Sequence, residues 1–215
     1  MPPDASDTRE KLLDAATRSF AEHGIYNASL IDITRQAGQR NRSALSYHFG
    51  SRDGVLCAVL ERHVDFLCRR EHELLAEALR RPGEPQAVVE AVVRPAAELA
   101  ESGWRGRCCL LIIAEIAGID EAQRSPELMT VLERTGGYAV FAELTMRMAY
   151  LPDHIRDERF ALMTVFVLRA IADRARALSR RRDKGRAQLE YEPFVCNLVR
   201  MATAMISAPV AATVS

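Results

Sequence analysis

The chain is poor in strand signals. Alternating apolar and polar runs bounded by turn residues are nearly absent from its 215 residues, whereas helix caps recur along its whole length. That excludes sandwiches, barrels and doubly wound sheets, and predicts an all-α protein. No apolar run approaches the roughly 18 to 20 residues of a membrane span, and the opening MPPDASDTRE has no apolar signal core. A cytoplasmic location with no membrane partner is expected. Net charge is also missing, since 29 Lys and Arg balance 29 Asp and Glu. The five cysteines, at 57, 68, 108, 109 and 196, are odd in number and never spaced C-x-x-C, which argues against a disulfide framework or zinc ribbon. Cys68 and His72 lie four apart on one expected helix, but no further ligand stands near them, so no metal site is expected. Glu71 and Glu73 beside them read as a solvated face. The chain lacks a G-x-x-x-x-G-K phosphate loop and a Cys–His–acid signature, which speaks against an enzyme and gives no cofactor.

Hydrophobic residues make up 48% of the chain, so it can bury a substantial core. Against its overall neutrality, one region is basic. Residues 33–52 carry four arginines and no acid. Phosphate neutralisation is local, so a neutral protein can still bind DNA through such a patch. The same region, SLIDITRQAGQRNRSALSYHFGSR at 29–52, reads as helix, turn, helix. Ser29 and Asp32 form a capping-box pattern that starts a helix at about Leu30. Gly38 stops it. Asn41 is then expected to cap a second helix, with Leu45 and Phe49 facing the core. Arg42, Ser43, Ala44, Ser46 and Tyr47 are left pointing mostly outward. A helix of this kind fits a major groove. Gly50 ends it, Ser51 caps the next, and Arg52 sits where its side chain could reach a phosphate.

Residues 8–56 resemble the DNA-binding domain of the TetR family of transcriptional regulators. The resemblance lies in F-x-x-x-G at Phe20 to Gly24, in Ile33, Thr34, Ala37 and Gly38 against I-A-x-x-A-G, and in Tyr47, His48 and Phe49 followed by Ser51 and Arg52. It covers about the first quarter of the chain. The chain departs from the pattern at Thr34, at a longer turn through Gln39, Arg40 and Asn41, and at Ser46. The resemblance implies a homodimeric, ligand-responsive repressor on a palindromic double-stranded DNA operator. It makes Arg42, Ser43, Ala44, Ser46 and Tyr47 candidate base readers. His48 and Arg52 become candidate phosphate clamps, with Arg40 and Asn41 as helpers. A helical interaction module without effector response is the alternative.

The expected organisation is a helix-turn-helix head at 1–50 with residues 1–7 flexible, a helical body at 51–206, and a flexible tail at 207–215. About nine helices are expected, with one running from Ser125 to about Tyr150. The segment 107–116 is apolar nearly all round, as in a helix buried within a bundle. The family body often encloses an effector pocket, and an apolar effector is assigned here to Trp104, Cys108, Ile112, Glu115, Tyr138 and Phe141. For Glu115 a salt bridge is the competing role. Met146, Met148 and Phe160 are expected to pack nearby. The last two helices carry apolar stripes, including Leu162, Val165, Ile171 and Ala175 on one and Phe194, Leu198 and Ala202 on the other. They are expected to form the dimer interface. A basic run, comprising Arg174, Arg176, Arg180, Arg181, Arg182, Lys184 and Arg186, reads as a solvated helix end.

Overall fold

The computed structural model describes residues 5–179 and 187–210. Among them there are ten α-helices and no strand. They are α1 (Ala5–His23), α2 (Leu30–Gln36), α3 (Ala44–Phe49), α4 (Arg52–Leu79), α5 (Pro85–Glu101), α6 (Trp104–Ile116), α7 (Pro126–Glu133), α8 (Gly137–Arg147), α9 (Asp153–Ser179) and α10 (Tyr191–Ile206), with one 3-10 turn at Glu121–Gln123. Residues 1–4, 180–186 and 211–215 lie outside the described residues. So do most of the expected basic run (Arg180, Arg181, Arg182, Lys184 and Arg186) and the outer parts of the two expected flexible ends.

The first three helices pack as their apolar spacing requires. Leu12, Leu13, Ala16 and Phe20 recur at three- and four-residue steps on α1 and are buried without remainder. They meet Ile33 of α2, Leu45 of α3 and Val55, Leu56 and Val59 of α4 in one cluster. That cluster does not stop at the head. It continues into Cys109, Ile112 and Ile116 of α6 and Leu128 and Val131 of α7. A second cluster joins α5, α8, α9 and α10 around Val88, Val93, Leu144, Met163, Ile171 and Val195.

The structure departs from the expected layout in several places. The helix expected from Ser125 to about Tyr150 is broken in two at Gly136, whose φ is +100°. A β-carbon there would come within 3.2 Å of the Cα of Cys68, so the glycine both turns the chain and lets it pass close to α4. Most of the stripe expected to face a second copy is instead packed inside this chain. Ile171, Ala175, Val195, Leu198, Val199 and Ala202 all belong to the second cluster, and Ala172 is buried as well. The exposed apolar side chains on the outer faces of α9 and α10 are Leu162, Val165, Leu178 and Met201. Met146 was expected in the core and is exposed, whereas Met148 is buried. Arg174 is not a solvated helix end. It is buried, lies 4.8 Å over the Phe194 ring and donates to Glu101 and the Leu189 carbonyl. Arg176 pairs with Asp173.

Candidate nucleic-acid interface and ligand cavity

The helix-turn-helix is held by short-range hydrogen bonds. Ser29 Oγ accepts from the Asp32 amide at 3.2 Å and so starts α2. Gly38 and Gly50, each at φ +73°, end α2 and α3 in a conformation that suits residues without a β-carbon. Ser51 Oγ accepts from the Gly54 amide at 3.0 Å and starts α4. The start of α3 differs from expectation. Asn41 Oδ1 accepts from the Ser43 amide at 3.0 Å, closing an Asx turn ahead of the helix. The helix itself begins at Ala44 and is six residues long.

That shift decides which side chains face outward. Arg40, Asn41, Arg42, Ser43, Ser46 and Tyr47 are exposed, and Tyr47 is the most open at 84%. Ala44 is not among them. It is buried beside Leu45, because with the helix starting at 44 it falls on the core face. Its role is therefore corrected from base reading to packing. His48 is half-buried between Tyr47 and Phe49, with ring centroids 5.1 Å and 6.1 Å away. Arg52 has a structural role within the chain. Its Nη1 donates to the carbonyls of Ile25 and Ala28 at 2.6 and 2.8 Å, so the guanidinium ties the α1–α2 loop to the start of α4. This bond joins residues 24 or more positions apart, and local periodicity gives no sign of it.

The head is also tied to the body. Arg62 of α4 donates to Glu10 and to Asp14 of α1, and Arg105 of α6 donates to both oxygens of Asp14 at 2.9 and 2.6 Å. Burial opposes ionisation of Asp14, but hydrogen bonds from Arg105 and Arg62 outweigh it and hold the carboxyl below its usual range. Arg18 of α1 stacks on Trp104 at 4.0 Å. Glu115 Oε1 accepts from the Ile25 amide at 2.9 Å. Next to it Gly24, at φ +90°, leaves only 3.2 Å between a would-be β-carbon and that oxygen.

These contacts correct the assigned effector residues. Trp104, Cys108, Ile112 and Glu115 do not line the body's cavity. Trp104 and Glu115 grip α1 and its loop, Ile112 is buried in the head-side cluster, and Cys108 is half-buried close to the charges of Arg18 and Glu22. Ile113 and Ile116 of α6, with Ala117 just past its end, line a cavity of about 450 Å³, which Tyr138 and Phe141 also line. Its other walls are Leu132 of α7 and Phe160, Thr164 and Leu168 of α9, with Arg124 at one side. An apolar all-round helix is legible in the sequence; which of its faces meets which neighbour is not.

Deeper in, a second hollow of about 140 Å³ shares Ile113, Leu132, Phe141 and Leu168 with the first and reaches Glu71 of α4. Glu71 is not the solvated residue expected. Burial pushes its carboxyl up to about 8, and Oε2 has no hydrogen-bond partner among the described residues. Glu73 does face solvent, paired with Arg70 and near Arg69. Cys68 and His72 contact each other at 3.4 Å.

Residues 12–59 match the family model described as bacterial regulatory proteins, tetR family. The HTH-type transcriptional regulator AcrR of Shigella flexneri is 28% identical over 129 residues, covering 57% of this chain and 58% of that protein. The HTH-type transcriptional repressor KstR2 of Rhodococcus jostii is 32% identical over 107 residues, covering 47% of this chain and 50% of that protein. The head of this chain is therefore similar to the DNA-binding domain of TetR-family regulators. The match spans little more than half the length of these curated relatives. The fold likeness reaches further. The crystal structure of AibR in complex with isovaleryl coenzyme A and operator DNA superposes with a TM-score of 0.53 at 15% identity, over 90% of this chain and 97% of that one. Both AcrR and KstR2 are transcriptional regulators. Among the described residues no helix is long and apolar enough to cross a membrane.

Proposed function

We propose that this protein is a ligand-responsive transcriptional repressor that binds a palindromic double-stranded operator as a homodimer. The observation that carries the reading is the position of α6. It holds the head through Glu115, Arg105 and Trp104, and it walls the cavity through Ile113 and Ile116. A molecule entering the cavity presses on the helix that fixes the head. Two heads on DNA must keep their separation matched to successive major grooves, ~34 to 36 Å or a multiple, so a small tilt weakens binding. The coupling is reciprocal: a ligand that releases DNA binds the DNA-free protein more tightly by the same factor, typically ~5- to 150-fold.

In this reading Arg42, Ser43, Ser46 and Tyr47 meet base edges, and Arg40, Asn41 and His48 meet the backbone. The second copy docks on the exposed apolar side chains of α9 and α10, namely Leu162, Val165, Leu178 and Met201. The repressor role is supported by the likeness to the repressor KstR2, and the combination of operator and small-molecule ligand by the AibR complex. Footprinting on DNA flanking the protein's own gene tests the reading. The expected result is a protected two-fold symmetric site whose occupancy falls when ligand is added. Sequence-independent coating of the DNA, or no protection at any salt concentration, would count against it.

A further inference from the structure

We propose that the cavity's ligand is an apolar-bodied aliphatic amine, with its ammonium group seated against the carboxylate of Glu71. The inference rests on the cavity being the effector site and names the ligand class it takes. The walls are alkyl and aromatic, from Ile113, Leu132, Phe141, Phe160 and Leu168, which suits a hydrocarbon body. Glu71 lines the inner hollow, and its Oε2, shut off from solvent, has no hydrogen-bond partner among the described residues. Buried polar groups are nearly always hydrogen-bonded, and one left unpartnered beside a hollow is where a donor from outside the chain can complete the set.

The neighbours of Glu71 leave that place open. Thr135 and Thr164 on the hollow's wall already donate to the carbonyls of Leu132 and Phe160. Arg70, next in sequence, is committed to Glu98 and Glu73. On its own helix Cys68 and His72 face each other. Across α7 and α8, Gly136 and Gly137 bring only backbone, and a β-carbon at Gly136 would lie 3.3 Å from Glu71 Oε2. Val92, Ala96 and Leu99 of α5 and Leu110 of α6 bring no charge. The cation facing the same space is Arg124, on the wall of the outer cavity, where Nη2 donates to the Ile119 carbonyl at 2.8 Å. Its Nε is also unpartnered, so an anionic amphiphile is the competing ligand, and it would sit at the other end. Glu71 decides between them. Arg124 already donates to one carbonyl from the outer cavity's wall, whereas Glu71 Oε2 has no partner among the described residues.

Binding of an ammonium group ionises Glu71, so affinity depends on pH. With the carboxyl titrating at about 8 in the free protein, affinity for an amine that stays protonated rises about tenfold per unit from pH 6 to 8 and then levels. The experiment is calorimetry and thermal shift on the full chain, without DNA, using submicellar decylamine, 1-decanol and decanoate at pH 6, 7, 8 and 9. Decylamine is expected to bind at least tenfold more tightly than decanol at pH 8. Glu71→Gln is expected to erase that preference and the pH slope. Tighter binding of decanoate than of decylamine, an unchanged preference in Glu71→Gln, or no binding of any probe would each overturn the proposal. An operator-binding assay run separately keeps the two readings apart. If decylamine binds as expected but leaves DNA occupancy unmoved, ligand-responsive repression fails and the amine site stands.

Discussion

The head-side cluster and the cavity are neighbours that meet along α6, and they are built on opposite principles. On the head side the apolar residues are closed off completely and the charged groups have partners: Asp14 with two arginines, Glu115 with a backbone amide, Arg52 with two carbonyls. On the other side apolar walls enclose empty space, and a carboxylate and a guanidinium nitrogen are left unmet. Folding alone favours the first arrangement, because filled volume and satisfied polar groups lower the free energy. The second costs stability and persists where something other than the chain completes it. The contrast teaches that structural and ligand-directed regions can be told apart by what they leave unfinished.

The comparison breaks most visibly where volume is removed. Phe20→Ala on the filled side should cost about 3–5 kcal/mol in urea unfolding. Phe141→Ala, which enlarges a space already present, should cost roughly 1–2 kcal/mol. Equal losses would mean that the cavity wall is as tightly packed as the head.

Charge removal is expected to act in opposite directions on the two sides. Asp14→Asn takes a hydrogen-bonded carboxylate from Arg62 and Arg105 and should destabilise by about 1–3 kcal/mol at pH 7. The folded carboxyl titrates below its unfolded value of 3.8, so its contribution is complete above that value. The contribution disappears as the pH falls through the folded value, and the gap between variant and wild type should narrow there. Glu71→Gln should instead stabilise, by on the order of 1–3 kcal/mol at pH 8. An unfolded carboxyl ionises near 4.5 and this one near 8, so wild-type stability is lost as the pH rises between the two. At pH 4 both states are neutral and the variant's advantage should vanish. Melting temperatures across that range check both signs.

Tyr47→Ala sits at the small end of the scale for stability. The ring is almost wholly exposed, so unfolding should move by no more than ~0.5 kcal/mol. The preference for operator over random DNA should nonetheless fall by ~1–3 kcal/mol per lost base contact. Competition binding at fixed salt measures that difference.

Much of the head was legible because its signals are local. Ser29, Gly38, Gly50 and Ser51 each act within three or four residues of themselves, and each stands where its chemistry predicts. What escaped was decided by a choice between competing partners, some near and some distant in sequence. Asn41 offers a cap to whichever amide lies near, and the Asx turn took it. That moved the helix start by a few residues and turned Ala44 inward. Gly136 sits in a regular apolar pattern, and only the passage of α4 at Cys68 explains the break. Glu71 and Glu73 look alike in sequence, and a difference of two positions on α4 puts one under the bundle and leaves the other in water.

The double duty of α6 has a consequence for how ligand preference can change. Met129, Phe160 and Thr164 border the cavity without belonging to the head-side cluster, so substitutions there can reshape the binding space and leave the resting grip on DNA alone. Ile116 belongs to both. A smaller residue at that position would be felt by the head before any ligand arrived. In a screen for altered inducers, the first three positions should yield new ligand preferences, while Ile116 should yield variants that have lost tight control in the absence of ligand.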